Sequence, residues 1–369
     1  MIMYVLLGVA LVVGLPLVGI LLSGRPIQPY LEFPPQTRVV QAAPFSWPVF
    51  VILALLIVLT VGPILLRIAR SQDSVFTQPH VLRPFPWWGW LGAALTMTSW
   101  VLAWNRFPSF AALQPHTFAP LWLGYIISIN GWTFHRTGHC LMLDRPGFFL
   151  AMFPASAVFW WIFEYLNRFV QNWYYVGPHS LTPEQYFLQA TLPFSTVLPA
   201  VLSTMDFLSS VKGLTAGMDR LPPLRLDGRR WVAGVLLIAA TGGLVGLGIW
   251  PQLLFPLVWV GPLLLITALQ IFRGQETIFS RLMEGDATSL WLAAVAALVC
   301  GFWWELWNWK SLAHWEYAIP AVHGFQLFEM PLLGYAGYLP FGLECLAVIQ
   351  WLFPSHYGEI IRSRWDRRS

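Results

Sequence analysis

Residues 301–310 read GFWWELWNWK, a tryptophan-rich apolar run that contains one carboxylate, Glu305, and one amide, Asn308. A related run, FWWIFEYLNR, occupies residues 159–168 and contains a glutamate and an asparagine at the same spacing. The offset between the two runs is constant, since 305 − 164 and 308 − 167 both equal 141. This recurrence predicts a duplicated chain with one acidic site in each copy.

The composition indicates a membrane protein. Hydrophobic residues make up 57% of the 369 positions and charged residues only 10%, whereas a soluble domain carries about 25% charged residues. A transmembrane helix needs about 20 mostly apolar residues, and the long apolar runs do not alternate as barrel strands do. We predict an all-α, polytopic integral membrane protein with about ten transmembrane helices. The predicted spans are residues 2–22, 47–69, 87–104, 117–134, 148–168, 187–209, 230–249, 254–272, 289–309 and 326–352.

The repeat extends beyond the glutamate and the asparagine. Trp90, which opens the third predicted span, has a counterpart at Trp231, and a W-x-Y-x-x-P motif at residues 173–178 recurs at residues 315–320. Each copy contains four spans, an even number, so both copies are predicted to insert in the same orientation, as parallel repeats do. Chance matches in a tryptophan-rich chain and mimicry between helix bundles are the alternatives.

The repeat divides the chain into five predicted parts. These are two N-terminal helices with a proline-rich outer loop (1–86), the first four-helix repeat (87–212), a basic cytoplasmic linker (213–229), the second repeat (230–352) and a basic cytoplasmic tail (353–369). The first helix lacks the basic segment and the cleavage site of a signal peptide, so we expect it to be retained.

Lysine and arginine indicate the orientation. The loops on one side of the predicted membrane hold 16 of the 21 basic residues, and those on the other side hold 5. The positive-inside rule then predicts that both termini lie in the cytoplasm, and we expect a multi-pass protein of a bacterial inner membrane. The basic residues lie between spans rather than on one face, which argues against a nucleic-acid partner. Membrane lipids are the expected surroundings.

Polar side chains within the apolar spans are the candidates for function, because a charge at the centre of a membrane helix costs about 2.5–3.5 kcal/mol. Glu305 and Glu344 are the candidate catalytic residues, and Glu344 has only Ser203 at the repeated position. We predict an outward-facing, acidic, tryptophan-lined pocket. Its ligand-binding candidates are Glu164, Asn167, Asn308, Glu329, Trp160, Trp304, Trp315 and Tyr317. Hydrogen bonding between helices is the alternative for the polar residues, and an interfacial aromatic belt for the tryptophans.

The tenth predicted span contains Pro331 and Pro340 together with three glycines. Proline removes a backbone donor, so we predict a bent or locally opened helix there. Close approach between helices is the alternative role of the glycines. The histidines do not form a convincing metal-binding pattern, and the chain has no P-loop motif. We therefore predict neither a metal nor a cofactor.

Three classes of function fit these observations. The leading hypothesis is binding or modification of a lipid-like or isoprenoid molecule, with carboxyl groups as acid–base catalysts. An intramembrane glutamate, a W-x-Y loop and a Pro/Gly-rich helix are together loosely similar to features of carotenoid-modifying membrane enzymes. The alternatives are a small-solute transporter, with or without proton coupling, whose site lies between the repeats, and a non-catalytic subunit or assembly factor with membrane-protein partners.

Overall fold

The computed structural model of the chain describes residues 2–35, 43–71, 82–177, 181–224 and 229–360. Parts of the proline-rich loop and of the basic linker, Pro178 of the first W-x-Y-x-x-P motif and most of the basic tail lie outside these ranges. The described chain is mainly helical and contains two short antiparallel ladders.

The helices of the described ranges fall into long and short elements. The long helices are α1 (Ile2–Leu22), α3 (Trp47–Arg70), α4 (Trp87–Trp104), α5 (Phe118–Thr137), α7 (Pro146–Val170), α8 (Pro183–Phe194), α9 (Val197–Ser209), α10 (Arg229–Ile249), α12 (Gly261–Phe272), α13 (Thr288–Asn308) and α14 (Tyr338–Leu352). The short helices are α2 (Gln28–Leu31), α6 (Leu141–Asp144), α11 (Pro251–Leu254) and α15 (Pro354–Ile360).

Seven helices in the described part of the chain are long and apolar enough to cross a membrane. They are α1, α3, α7, the α8–α9 pair, α10, α13 and the segment Leu332–Leu352. The count rises to eight if the bent pair Pro251–Val258 and Gly261–Phe272, which meet at 54°, is one span. Helices α4 and α5, with 18 and 20 residues, occupy two further predicted positions. The prediction of a helical, multi-spanning membrane protein is confirmed at this level.

The last predicted span does not begin as a helix at residue 326. The region consists of β3 (Gln326–Leu327), β4 (Met330–Pro331) and a 3₁₀-helix (Leu332–Gly337) before α14 begins. Pro331 ends the hairpin, and Pro340 lies in the first turn of α14, where a missing N–H breaks no helical hydrogen bond. Glu329 therefore lies in a hairpin turn rather than on a helix.

Two sets of helices pack in the same order. One set packs α4 on α5, α5 on α9 and α9 on α7, and the other packs α10 on α12, α12 on α14 and α14 on α13. Contacts between α9 and α13 join the two sets, and α1 packs mainly on α10. Helix α3 belongs to neither set. Its main contacts are with the 3₁₀ segments Lys212–Thr215 and Leu332–Gly337.

A two-stranded ladder connects the chain segments that follow α7 and α13. Strand β1 (Trp173–Val176) pairs antiparallel with β2 (His314–Tyr317). The register places Trp173 opposite Tyr317 and Tyr175 opposite Trp315. The two W-x-Y motifs of the sequence therefore face each other directly, each tryptophan across from the tyrosine of the other motif.

Glycines allow α1 and α10 to cross in close contact. A Cβ atom on Gly19 would lie 2.0 Å from the backbone oxygen of Val245, and one on Gly248 would lie 2.2 Å from that of Pro16. Small residues permit such approach between membrane helices, whose association depends on van der Waals packing.

We expect Gly19→Ala and Gly248→Ala each to lower the free energy of unfolding by about 1–3 kcal/mol, because α1 and α10 must separate. Gly14→Ala and Gly242→Ala are matched controls on the same helices, since a Cβ atom at either position meets nothing within 4 Å. Unfolding of the detergent-solubilised protein by SDS titration measures the difference. Equal losses in all four variants would contradict an interface that depends on these two glycines.

Candidate functional site

Glu164 lies at the centre of a hydrogen-bond cluster near the end of α7. Its side chain is fully buried. One carboxyl oxygen, Oε1, accepts hydrogen bonds from Tyr175 Oη at 2.6 Å, Trp160 Nε1 at 3.0 Å and Trp173 Nε1 at 3.1 Å. The other oxygen, Oε2, is buried and has no hydrogen-bond partner. The carboxyl group thus binds three aromatic side chains through a single oxygen.

Glu305 forms the corresponding cluster near the end of α13. It is also fully buried, and its Oε1 accepts hydrogen bonds from Tyr317 Oη at 2.6 Å and Tyr338 Oη at 2.7 Å. Trp315 Nε1 donates in turn to Tyr317 Oη at 2.7 Å. As in the first cluster, Oε2 is buried without a hydrogen-bond partner.

The two clusters differ in two donors: Trp173 donates directly to Glu164 whereas Trp315 donates to Tyr317, and Trp160 of the first cluster has no tryptophan counterpart. Trp160 donates to Glu164 from the same helix, and the residue 141 positions later is Gly301. A Cβ atom on Gly301 would lie 2.4 Å from the ring of Tyr338. The absence of a side chain there allows Tyr338, from α14, to reach Glu305 in the second cluster.

The two asparagines hold the ladder strands against the helix ends. Asn167 Nδ2 donates to the Trp173 carbonyl at 2.7 Å and its Oδ1 accepts from the Asn172 N–H at 2.8 Å. Asn308 donates to the Trp315 carbonyl at 2.7 Å and accepts from the Trp315 N–H at 2.8 Å. Each asparagine is therefore hydrogen-bonded to backbone groups in, or just before, the strand that follows its helix. Buried polar side chains normally have such partners.

The ladder adds polar groups beside these clusters. Tyr174 donates to the Glu316 carboxylate at 2.5 Å, and His314 Nε2 lies 3.4 Å from the other oxygen of that carboxylate. The hydrogen bond to Glu316, with burial, raises the pKa of Tyr174 to about 12. Burial and the charge of Glu305 raise the pKa of Tyr317 well above its ordinary value. Both phenols are therefore protonated donors at neutral pH.

A cavity of about 720 Å³ lies against both clusters. We call it the aromatic cavity, because indole and phenol rings form much of its wall. The aromatic lining residues include Phe118, Trp160, Trp173, Tyr175, Tyr186, Trp259, Trp304, Trp315, Tyr317 and Tyr338. Proline, leucine, valine and alanine side chains from α8, α3 and the segments before α12 and α14 complete most of the rest. Within the described residues, no group of three metal-binding side chains is present.

Ring contacts behind the cavity wall follow one scheme in both halves. Trp122 packs on Trp304 with ring centroids 4.9 Å apart. Trp259 packs on Phe163 with ring centroids 5.1 Å apart. Phe163 and Trp304 each directly precede a cluster glutamate, so in each half the residue before the glutamate packs on a tryptophan from the opposite half of the chain.

Nine of the ten predicted site residues fall into three groups. Trp160, Trp304, Trp315 and Tyr317 line the aromatic cavity. Glu164, Glu305, Asn167 and Asn308 lie behind that wall, in contact with its side chains. Glu329 is half-buried in the hairpin turn and is not among the lining residues. The wall is thus aromatic, with the acidic groups one layer behind it, because each glutamate is covered by the phenols and indoles that donate to it.

Glu344 lies apart from both clusters. It is 1% exposed on α14 and its Oε2 has no hydrogen-bond partner, but it is not among the residues that line the aromatic cavity. Its sequence neighbour Cys345 and the α13 residue Cys300 are buried as well. Glu344 is therefore a buried acid whose connection to a ligand in this cavity is indirect.

Several site residues were not singled out by the sequence pattern. Tyr338, Trp259, Tyr186 and Asn172 belong to this group. Trp259 carries a signal, because it is the repeat counterpart of Trp122 at an offset of 137. Tyr338 carries none, since its counterpart 141 positions earlier is Val197.

Comparison with known proteins adds no relative: no family model, no curated protein and no solved structure matches the chain. The fold and the cavity therefore define the class. It is a helical membrane protein in which an aromatic cavity lies beside two buried glutamates.

Proposed function

We propose that this protein binds, or binds and modifies, a lipid-like or isoprenoid ligand in the aromatic cavity. The observation that carries the proposal is the cavity of about 720 Å³, walled mainly by aromatic and aliphatic side chains. Its size lies in the range of small-molecule sites, about 300–1,000 Å³, and such sites are mostly apolar with a few placed polar groups. Here the tyrosine hydroxyls and Asn172 supply those groups.

In this proposal the ligand contacts are the aromatic residues of the wall. Trp160, Trp304, Trp315 and Tyr317 contact the ligand, while Glu164, Asn167, Asn308 and Glu329 hold or surround that wall. Glu305 and Glu344 are the proposed acid–base groups. Glu305 is the better placed of the two, because Tyr317 and Tyr338, which donate to it, line the cavity. A proton then passes between the carboxyl group and the ligand through a phenol oxygen.

We further propose the finer architecture: ten spans, two parallel four-helix repeats, both termini in the cytoplasm and residence in a bacterial inner membrane. Three observations support a duplication. The β1–β2 register places each W-x-Y motif against the other, the Trp122–Trp304 and Trp259–Phe163 contacts are related by the repeat, and both helix sets pack in the same order. A two-fold axis through the ladder would relate all three.

The test of ligand binding places a larger side chain in the wall of the aromatic cavity. Ala190, on α8, lines the aromatic cavity, whereas Leu188, two positions earlier, is 70% exposed. Wild-type protein and the variants Ala190→Trp and Leu188→Trp are purified in nanodiscs, and mass spectrometry quantifies the apolar molecules that remain bound. We expect a stoichiometric small molecule in the wild type, at least a fivefold loss in Ala190→Trp, and no loss in Leu188→Trp.

Other outcomes favour the other two classes. Equal ligand content in both tryptophan variants would contradict binding in the aromatic cavity. Protein partners at a fixed ratio with no bound small molecule would favour a subunit of a membrane complex. If the protein is purified with neither a partner nor a bound small molecule, transport assays in proteoliposomes are the next test.

A further inference from the structure

Helix α3 encloses a second cavity that opens beside the aromatic one. This cavity, which we call the α3 groove, has a volume of about 1170 Å³. Its α3 lining residues include Ile57, Val61, Ile64 and Arg67, which follow one another at helical spacing on a single face. The facing wall comes from α13, α14 and the segment before it, through Leu290, Ala294, Leu339 and Leu343. The groove is therefore apolar over most of its length and polar at the end formed by Arg67, Arg70 and Ser71.

The α3 groove and the aromatic cavity adjoin each other and share part of their walls. Ile57, Ala336 and Pro340 line both of them. On α3 the lining begins at Leu53 in the aromatic cavity and ends at Ser71 in the groove. At about 1.5 Å rise per residue this stretch is about 27 Å long, close to the hydrocarbon thickness of a bilayer, about 30 Å.

The aromatic cavity contains polar atoms that lack hydrogen-bond partners. Asn172 is 3% exposed and lines the aromatic cavity, and its Oδ1 has no hydrogen-bond partner. The hydroxyl group of Tyr186, also in the wall, has none either. Buried polar groups are normally hydrogen-bonded, so these two atoms are the places where a ligand's own donor and acceptor would bind. The groove end offers no comparable buried pair.

We infer that the aromatic cavity and the α3 groove form one site for a long-chain alcohol of isoprenoid type, taken up sideways from the bilayer. The hydroxyl head lies near Asn172 and Tyr186, and the chain passes Ile57 and Ala336 into the groove. This inference rests on the proposed function, since it names the class of ligand that the aromatic cavity holds.

Lateral entry follows from α3, whose apolar stretch has no buried residue. Trp47 and Phe50 contact Phe325 at one end of this helix, and Arg67 donates to the Gly217 carbonyl near the other end.

The test uses two alcohols with the same head and different chains, geraniol with ten carbons and geranylgeraniol with twenty. Binding to protein in nanodiscs is measured with tritiated geranylgeraniol, with competition by geraniol, and is corrected for partition into empty nanodiscs. The wild type is expected to prefer geranylgeraniol at least tenfold. Ile57→Trp, which narrows the passage, should reduce that preference at least fivefold and leave geraniol binding nearly unchanged.

Three further variants test whether the effect depends on the passage between the two cavities and on the head-group contact. Leu59→Trp introduces the same side chain on α3 at a position that is 70% exposed and lines neither cavity, so it should preserve the preference. Ala336→Leu narrows the passage from the opposite wall and should repeat the effect of Ile57→Trp. Asn172→Leu should weaken both alcohols at least threefold, because the head then loses its acceptor, while the backbone bonds of residue 172 to Asn167 and Ala318 remain.

The outcomes separate the inference from the proposed function. If wild-type protein binds neither alcohol, the inference fails, and the ligand content of the wild type, Ala190→Trp and Leu188→Trp decides the proposed function separately. If it binds both equally, and Ile57→Trp and Ala336→Leu change nothing, the aromatic cavity remains a ligand site and the α3 groove is excluded from it. If both alcohols bind and Asn172→Leu has no effect, the assignment of the head group to Asn172 is overturned.

Discussion

Replacement of Glu305 by leucine is expected to lower the free energy of unfolding by about 2–6 kcal/mol. The change removes the acceptor of two hydroxyl groups, those of Tyr317 and Tyr338, and each buried polar group left without a partner costs about 1–3 kcal/mol. Leucine is similar in size to glutamate, so the loss reports hydrogen bonding more than packing. Equilibrium unfolding in mixed micelles, followed by tryptophan fluorescence, measures it.

Glu305→Gln separates hydrogen bonding from acid–base chemistry. Glutamine keeps an acceptor oxygen for both phenols, so the loss of stability should not exceed about 1–2 kcal/mol. The proposed proton transfer is nevertheless abolished, because an amide does not exchange a proton at this site. A folded Glu305→Gln protein that retains its ligand but no longer converts it supports the acid–base role.

A control and a contradictory outcome complete this prediction. Glu329→Leu changes a half-buried glutamate in a hairpin turn and should alter stability by no more than about 0.5 kcal/mol. A Glu305→Leu protein as stable as the wild type would contradict a role for these hydrogen bonds in folding. Unchanged ligand conversion in Glu305→Gln would exclude acid–base chemistry at Glu305 while leaving its structural role intact.

Hydropathy is sufficient to predict the helical membrane fold, because runs of about 20 apolar residues are typical of helices that span the hydrocarbon core of a bilayer. It does not predict where helices break. Span ten was expected from residue 326, yet Pro331 ends a hairpin and the helical segment begins at Leu332. Ten spans, their orientation and the duplication remain predictions, since the described residues contain seven or eight helices that meet the length and hydropathy conditions.

The parts of the site that could be predicted from the sequence consist of residues that lie close together in the chain. Glu164 and Tyr175 are 11 residues apart, and Asn308 and Trp315 are 7 apart, so each pair belongs to one repeated motif. Tyr338 is 33 residues from Glu305 and has no aromatic counterpart in the first half. Its position depends on the packing of α14 against Gly301, which only the three-dimensional structure provides.

The second large effect is expected at the asparagines that hold the ladder. Asn308→Leu removes the partners of both the N–H and the C=O of Trp315, and Asn167→Leu removes those of backbone groups at residues 172 and 173. Two backbone groups without partners cost about 2–6 kcal/mol in Asn167→Leu, where they are buried, and the low end of that range in Asn308→Leu, where they are half-buried. The same unfolding assay measures the loss, and Asn105→Leu, at an exposed asparagine after α4, is the control.

The double variant tests whether the two halves act as one unit. If β1 and β2 are stable only as a pair, either substitution alone disrupts the ladder, and the second adds less than its full cost. We therefore expect Asn167→Leu with Asn308→Leu to be less destabilised than the sum of the single variants, with a coupling of about 0.5–3 kcal/mol. Additive losses would mean that each strand is held by its own helix alone. In that case the facing W-x-Y motifs would be neighbours without energetic dependence, and the ladder would give no support to a cavity built jointly by both halves.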